Sequence, residues 1–208
     1  MVYLTGDTHG ELDRFKHDRL RWLGKRDIVV VLGDFGFVWD GSKEEQKKLD
    51  WLRKRPYTLL FLDGAHENYD LLAQYPVEER FGGRVQALGG NVYHVCRGSV
   101  LELEGKKYLF AHAMTSHPDV REEDRYYMRG TMDIDCFFFE GIDGYISMCG
   151  HTPTDSIVWK KDRRYLDEPG NSIWCNDRHN VYLLDCGCGF AGGRLACLCL
   201  ETKERFYA

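Results

Sequence analysis

The sequence predicts an α/β fold in which strands alternate with helices and pack as a sandwich. Ile28–Leu32 and Leu59–Leu62 are unbroken aliphatic or aromatic runs, which are typical of strands covered on both faces of a sheet. Helical segments lie between such runs, and strand–helix–strand order is the pattern of an α/β protein. The second half is rich in short strands separated by turns, which favours a second region of sheet that includes antiparallel hairpins.

The first half of the sequence begins with a predicted strand, which predicted helices follow. Val2–Leu4 is a short apolar strand, and residues 12–23 carry apolar side chains at helical spacing. The next helix begins at Ser42, because Ser42 followed by Glu45 forms a capping box, and it ends before Pro56.

The second half contains no repeat and no linker, so we expect one domain over residues 1–208. Two polar segments, 116–130 and 160–180, predict surface loops or a cap over the sheet edge. The predicted strands are Val92–Val95, Val100–Leu103, Tyr108–Ala111, Tyr145–Met148, Val181–Leu184 and Leu195–Leu200.

Composition excludes several classes of protein. The net charge of −5 argues against a general nucleic-acid binder or a membrane-surface binder, since both need a basic face. No apolar stretch approaches the roughly 18 residues of a membrane span. The N-terminal segment lacks a basic region followed by an apolar one, so we expect no signal peptide and a cytoplasmic protein with reduced thiols. The sequence carries no indication of oligomeric state.

Four of the eight cysteines form two C-x-C pairs near the C-terminus. Alternate residues of a strand share a face, so these pairs fit small apolar packing on a hairpin. A four-thiolate zinc site is the alternative, although C-x-C is not the usual spacing. The four residues are Cys186, Cys188, Cys197 and Cys199.

Residues with ligand chemistry collect where predicted strands end. Sites in open α/β sheets form beyond the carboxyl ends of the strands, and glycines at Gly33 and Gly64 would let the backbone turn tightly there. An Asp-Gly or Gly-Asp pair alone is ordinary turn punctuation, but five such clusters indicate one site. Imidazole with carboxylate suits a divalent transition metal, and a shared carboxylate suits two. The clusters are Asp7-Thr8-His9, Gly33-Asp34, Gly64-Ala65-His66-Glu67, Phe110-Ala111-His112-Ala113 and Cys149-Gly150-His151-Thr152-Pro153.

In order and spacing, these clusters resemble the calcineurin-like metallophosphoesterases. The resemblance extends from Asp7 to Leu200, and the segment Asp185–Leu195 is similar to the terminal strands of bacterial serine/threonine-phosphatase-like members. The resemblance implies a four-layer α/β/β/α metallophosphoesterase-type sandwich with mixed sheets in a single domain. It also implies a metal-dependent phosphoesterase that acts on a phosphorylated substrate.

The resemblance further implies a centre of two divalent metal ions, with Mn most expected and Fe, Zn or Co as alternatives. Asp34 would bridge the two ions, which would share a hydroxide that attacks phosphorus. His66 would stand where the family has its general acid. The implied ligands are Asp7, His9 and Asp34 for the first ion, and Asp34, His112 and His151 for the second.

Ala65 departs from the family's pattern, which has an Asn here whose amide oxygen binds the second metal ion. The chain is therefore either a naturally weakened enzyme or one that carries an introduced substitution, and the otherwise complete ligand set favours the second. Ala65 also supports an alternative function, a phosphate- or nucleotide-binding protein that keeps the fold without turnover.

Other departures concern the substrate. Phe37 and Val38 stand where protein phosphatases of the family have an Asp that orients the acid histidine and an Arg that clamps phosphate; Asp40 is a candidate replacement for that Asp. Pro153 makes the segment Gly-His-Thr-Pro, like the phosphoprotein-phosphatase branch, rather than the Gly-His-x-His of phosphodiesterases. A phosphoprotein or small phosphomonoester is the expected substrate, with a nucleotide phosphodiester as the alternative.

A replacement phosphate clamp is expected at Arg121. Arg121, Arg125 and Arg129 are spaced by four, so on a helix they share one face. Arginine is the preferred bidentate partner of phosphate, and Arg121 is closest in sequence to His112. The alternative is a solvated helix face paired with the neighbouring acidic residues.

Overall fold

A computed structural model describes residues 1–97, 101–103, 106–113, 140–155 and 171–208, with only the backbone described for 101–103 and 106–107. These residues form two sheets. The strands of the first sheet are β1 (Val2–Thr5), β2 (Ile28–Val31), β3 (Thr58–Phe61), β4 (Val77–Arg80), β5 (Gly83–Gly89), β6 (Val92–Val95), β12 (Ala196–Cys199) and β13 (Arg205–Tyr207). The strands of the second are β7 (Leu101–Leu103), β8 (Lys106–Phe110), β9 (Ile146–Cys149), β10 (Trp174–Cys175) and β11 (Val181–Leu183).

The described helices all precede β4 in the chain. They are α1 (Leu12–Phe15), α2 (Asp18–Arg21), α3 (Lys43–Arg53) and α4 (Tyr69–Leu72). In the part of the chain that the structure describes, no helix has the length and apolar character needed to cross a membrane.

Both sheets are mixed, as predicted. The first has the order β13-β12-β1-β2-β3-β6-β5-β4, and its neighbours β1, β2, β3 and β6 run parallel. The second has the order β10-β11-β9-β8-β7, in which β8, β9 and β11 are parallel. The carboxyl ends of the parallel strands within each sheet therefore lie at one edge.

The core explains the unbroken apolar run of β2. Val29 and Val31 belong to the core between the first sheet and the helices, whereas Val30 and Leu32 belong to the core between the two sheets. Because side chains alternate across a strand, a strand covered on both faces is apolar throughout. The α/β fold class is confirmed, and three of the four predicted layers are described: the helices, the first sheet and the second sheet. The predicted helical layer over the second sheet falls outside the described residues.

The strands predicted from the sequence are present, and four further strands, β4, β5, β10 and β13, were not predicted. β4 has the sequence Val-Glu-Glu-Arg and is exposed throughout, because it is an edge strand with charged side chains and no apolar face. The single helical segment predicted over 12–23 is two short helices. His17 caps the second of them, since its Nδ1 accepts from the Arg19 N–H.

Ser42 caps α3 as predicted, but Ser42 and Glu45 do not form the complete capping box. The Ser42 hydroxyl accepts from the Glu45 N–H at 3.1 Å, as a capping residue does. The Glu45 carboxylate does not return to Ser42, as a capping box requires. It accepts instead from the N–H groups of Trp39 and Gly41, and so it fixes the loop before the helix.

The C-x-C cysteines are packed in the core and do not form a four-thiolate site. Cys186 lies in the core between the sheets, whereas Cys188, Cys197 and Cys199 lie in the core under the helices. All four are buried and free. Apolar packing is therefore the role that the structure supports.

Candidate metal centre

The two sheets bring five strand ends to one place. Asp7 follows β1, Asp34 follows β2 and His66 follows β3, all on the first sheet. His112 and His151 follow β8 and β9, which are neighbouring parallel strands of the second sheet. The side chains predicted from strand ends are thus close in space although they are far apart in sequence.

Two groups of three side chains offer ligand atoms within 4.8 Å of one another in the described residues. Asp7, Asp34 and His112 form a buried group. His9, Asp34 and His66 form a group that reaches the surface. Asp34 belongs to both groups, which is the position expected of a bridging carboxylate. His66, expected beside the ligands, lies within one of the groups.

His151 adjoins these groups without belonging to either. Its ring centroid lies 4.7 Å from that of His112. Its backbone N–H donates to Asp7 Oδ1 at 3.0 Å, which orients the buried carboxylate. Burial lowers the pKa of His151, and that of His9 likewise, which favours the neutral imidazole that binds metals.

His112 tests whether these residues fit a cation. Its Nδ1 lies 3.3 Å from the carbonyl oxygen of Leu32, so the ring proton belongs on Nδ1. Burial lowers the pKa of His112 to about 4, and the ring is therefore neutral at pH 7. Its buried Nε2 has no hydrogen-bond partner among the described residues and lies 3.5 Å from Asp34 Oδ1. Two electron-rich atoms that face each other in a buried site fit a shared metal ion.

The carboxylates around the centre repel one another. Burial raises the pKa of Asp7 well above its usual range, and the charges of Asp185 and Asp34 raise it further. Burial and Asp34 also raise the pKa of Asp185 to about 6, against the hydrogen bond from the Gly187 N–H. This concentration of carboxylates fits positive charge at the site. Asp185 was not among the predicted site residues, although it follows β11 just as the others follow their strands.

The turns that carry these side chains have unusual backbone geometry. His9, Asp34 and His151 have φ values of +45°, +40° and +65°, a left-handed conformation that residues other than glycine rarely adopt. Hydrogen bonds hold two of these turns together, since the N–H groups of Thr8 and His9 donate to the Asp34 carbonyl at 3.1 and 2.9 Å. Such strain is typical of functional sites and persists only where the surroundings enforce it.

Two glycines allow the ligands to approach the backbone. A Cβ atom on Gly33, whose φ is +108°, would lie 2.0 Å from His112 Nδ1. A Cβ atom on Gly64 would lie 2.1 Å from Asp34 Oδ1. Both glycines therefore lie where a ligand side chain packs directly against the backbone.

His66 is held by Asp34 from two directions. Asp34 Oδ2 lies 2.7 Å from His66 Nδ1, and Asp34 Oδ1 accepts from the His66 backbone N–H at 2.9 Å. Burial raises the pKa of Asp34, but His112 and His66 outweigh it, so the pKa is lowered and the carboxylate is ionised. Nδ1 must then donate, and Nε2 on the opposite side of the ring remains for a substrate. The side chain of His66 is 55% exposed.

The expectation that Asp40 orients His66 is wrong. The Asp40 carboxylate accepts from the Ser42 N–H at 2.7 Å and belongs to the loop before α3. Phe37 and Val38, which replace the family's Asp and Arg, are buried in the core under the helices. Asp34 takes over the orienting contact.

Glu67 is a clamp between two turns, and it does not begin a helix. Its buried carboxylate accepts from the N–H of Gly36 at 2.9 Å and from the N–H of Gly64. Burial raises its pKa to about 8. The helix α4 begins at Tyr69, and Asn68 is its cap, because the Asn68 side chain accepts from the Leu71 N–H.

The expected phosphate clamp, Arg121, lies outside the described residues. A different arginine, Arg97, follows β6 at the same edge of the first sheet as the centre. Its guanidinium pairs with the buried Asp63 carboxylate at 2.6 Å and donates to the Tyr69 hydroxyl at 2.9 Å.

A mixed α/β/β sandwich with clustered carboxylates and imidazoles at its strand ends defines a metal-dependent hydrolase class. The family model of the calcineurin-like phosphoesterases matches residues 1–186, and the chain belongs to this family. Phosphoester hydrolysis in general is the activity of that class. Residues beyond the match contribute β12 and β13 to the first sheet. A comparison with curated proteins finds no match.

Proposed function

We propose that the chain hydrolyses phosphate monoesters with two divalent metal ions, of which Mn²⁺ is the first to test. The observation that carries the proposal is the buried Nε2 of His112, which faces Asp34 Oδ1 at 3.5 Å without a hydrogen-bond partner among the described residues. Asp34 would be shared by the two ions, in keeping with its place in both ligand groups. The proposed ligands are Asp7, His9 and Asp34 for one ion, and Asp34, His112 and His151 for the other.

When bound, such ions activate a water molecule as the nucleophile and neutralise charge on the phosphate. The residues of the chain hold the site in place for this chemistry. The His151 N–H fixes the orientation of Asp7, and Leu32 fixes the tautomer of His112. Glu67 keeps the turns after β2 and β3 together, so that Asp34 and His66 are correctly positioned.

His66 is proposed as the general acid. As the ester P–O bond breaks, Nε2 gives its proton to the leaving oxygen. Asp34 supports this step, because its hydrogen bond to Nδ1 holds the ring and stabilises the protonated imidazole.

The substrate is proposed to be a small phosphomonoester. The segment Gly150–Pro153 is like that of the phosphoprotein-phosphatase branch, which supports monoester chemistry. The segment Asp185–Leu195 is similar to the terminal strands of bacterial serine/threonine-phosphatase-like members, which supports membership of that branch. Phe37 and Val38 are buried at the positions where the resemblance to protein phosphatases of the family implies an Asp that orients the acid histidine and an Arg that clamps phosphate. This difference favours a small molecule over a phosphoprotein.

A second candidate is a phosphate-binding protein with weak turnover. Ala65 supports it, because a methyl group offers the second ion no ligand atom. Such a protein would bind metal and inorganic phosphate but hydrolyse esters slowly.

The proposal is tested by hydrolysis of p-nitrophenyl phosphate together with metal content. We expect Mn²⁺-dependent turnover that a chelator abolishes, and a loss of both turnover and bound metal in Asp34→Asn. Asp13→Asn is the matched control, since the Asp13 side chain is 86% exposed and pairs only with Lys16 among the described contacts. Bound metal and phosphate without turnover would establish the second candidate, and the absence of bound metal would exclude both.

A further inference from the structure

A pocket opens beside His66. Its volume of about 310 Å³ lies at the lower end of the range typical of small-molecule sites. The ring centroid of Trp39 lies 5.9 Å from that of His66, so the pocket adjoins the proposed acid. The residues that line the pocket are Trp39, Glu67, Asn68, Tyr69 and Asp70.

Trp39 presents an exposed ring on a fixed backbone. The residue is 52% exposed. Its N–H donates to the buried Glu45 carboxylate, and its carbonyl accepts from Asn68 Nδ2 at 2.9 Å. The exposed ring of Trp39 therefore stands on a fixed loop at the pocket beside the proposed acid, where a ligand can stack on it.

Tyr69 presents a second exposed ring, which is held through its hydroxyl group. The residue is 45% exposed. Its hydroxyl donates to the Gly64 carbonyl at 2.7 Å and accepts from Arg97 at 2.9 Å. The Arg97 guanidinium also lies 5.4 Å from the ring centroid. The side chain of Tyr69 and the backbone of Trp39 are therefore both fixed at one pocket.

We propose that this pocket binds the base of a nucleoside monophosphate whose phosphate lies at the metal centre. The inference rests on the proposed function and names its substrate class. Aromatic side chains that are partly exposed on a fixed backbone are suited to stacking on a planar base. The carboxylate of Asp70 can accept from an amino group of the base or from a ribose hydroxyl.

The charge of the pocket selects a monophosphate. Among the described residues, its lining has the exposed carboxylate of Asp70 and no basic side chain, whereas the buried Glu67 carboxyl group is turned to the N–H groups of Gly36 and Gly64. A second phosphate group placed there would be repelled. In the reaction, the water oxygen bonds to phosphorus and releases one proton, the ester P–O bond breaks, and the nucleoside oxygen takes the proton of His66. The proton released by water replaces the one that His66 gave. The products are a nucleoside and inorganic phosphate.

The kinetic test compares AMP with glycerol phosphate as substrates. Trp39→Ala should lower the ratio of their kcat/KM values by about tenfold, which is within the effect of one base-stacking contact. Trp39→Phe should restore most of the ratio. Trp22→Ala is the matched control, because Trp22 is 78% exposed and does not line the pocket. A ratio unchanged by Trp39→Ala would overturn the inference while leaving phosphoesterase activity established.

A binding test separates the two proposals. Adenosine carries no phosphate, so its binding to the chelator-treated full chain, measured by saturation-transfer NMR, reports on the pocket alone. Binding that Trp39→Ala weakens about tenfold and Trp22→Ala does not weaken supports the pocket, even if no ester is hydrolysed and the proposed function fails. No binding overturns it. Phosphotyrosine hydrolysed much faster than AMP would assign the pocket to a tyrosyl ring and overturn the nucleotide proposal.

Discussion

His66 Nδ1 and Asp34 Oδ2 share a hydrogen bond of 2.7 Å that joins the turns after two neighbouring parallel strands. The carboxylate at the centre of the site is thus also the residue that orients the proposed acid. Phe37, where the family resemblance led us to expect an orienting Asp, is instead packed in the core under the helices.

His66→Gln should affect substrates according to their leaving groups. An alkoxide needs a proton as it departs, so hydrolysis of glycerol phosphate should fall about 10²- to 10⁴-fold. A nitrophenolate departs well without one, so turnover of p-nitrophenyl phosphate should fall less than about tenfold. Steady-state kinetics on both substrates check this, and equal losses would show that His66 is not the acid.

Ala65→Asn should raise hydrolysis of p-nitrophenyl phosphate by about two orders of magnitude, because it would supply the oxygen ligand that the family resemblance implies at this position. Ala65 is exposed, so a larger side chain fits without disturbing the core. Ala65→Leu is the control, with a similar size and no ligand atom, and it should produce no gain. Equal rates for the Asn and Ala forms would mean that position 65 does not limit catalysis.

Gly33→Ala should remove bound metal and destabilise the fold. The new Cβ atom would lie 2.0 Å from His112 Nδ1, so the imidazole must move. Gly144→Ala is the control for the free-energy cost of placing alanine at a positive φ. Gly144 has a φ of +80°, and no heavy atom of the described residues would lie within 4 Å of an added Cβ atom. We expect the free energy of unfolding in urea to fall about 1–3 kcal/mol further for Gly33→Ala. Similar values for both variants would argue against the steric contact.

Asp63→Asn should destabilise the chain by about 3 kcal/mol at pH 7, because the Arg97 guanidinium loses a buried counter-charge and the His94 ring loses a carboxylate partner. Burial raises the pKa of Asp63, but the hydrogen bonds and charges of these two partners outweigh it, and the pKa lies below its ordinary value of 3.8. The charged form is then favoured by folding. The stabilisation that the charged Asp63 gives to the folded chain is fully present above pH 3.8. It is lost as the pH falls through the lower pKa that Asp63 has in the folded state.

Urea denaturation at pH 7 and at about pH 3 or below checks this prediction. The difference in the free energy of unfolding between the wild type and Asp63→Asn should be smaller at the acidic pH. Asp50→Asn removes a partly exposed pair with Arg53 and should cost less than about 1 kcal/mol at either pH. If this difference in the free energy of unfolding did not change with pH, the charge of Asp63 would not be the source of its stabilising effect.

The sequence by itself determined the strands of the parallel core and the chemistry at their ends. Runs such as Ile28–Leu32 are apolar because both faces are covered, and a ligand residue that follows such a run must lie at the sheet edge. The same reasoning extends to Asp185, which was missed, and it could not find β4, because an exposed edge strand has no apolar pattern.

Only the tertiary structure decided which residues act on one another. The pairing of His66 with Asp34, the clamp made by Glu67 and the platform of Trp39 and Tyr69 depend on atoms from turns that different strands bring together. Local pattern suggested Asp40 as the partner of His66, whereas the structure places the Asp40 carboxylate in the loop before α3. Sheet register sets these contacts, and it is a property of the packed chain that no short stretch of sequence contains.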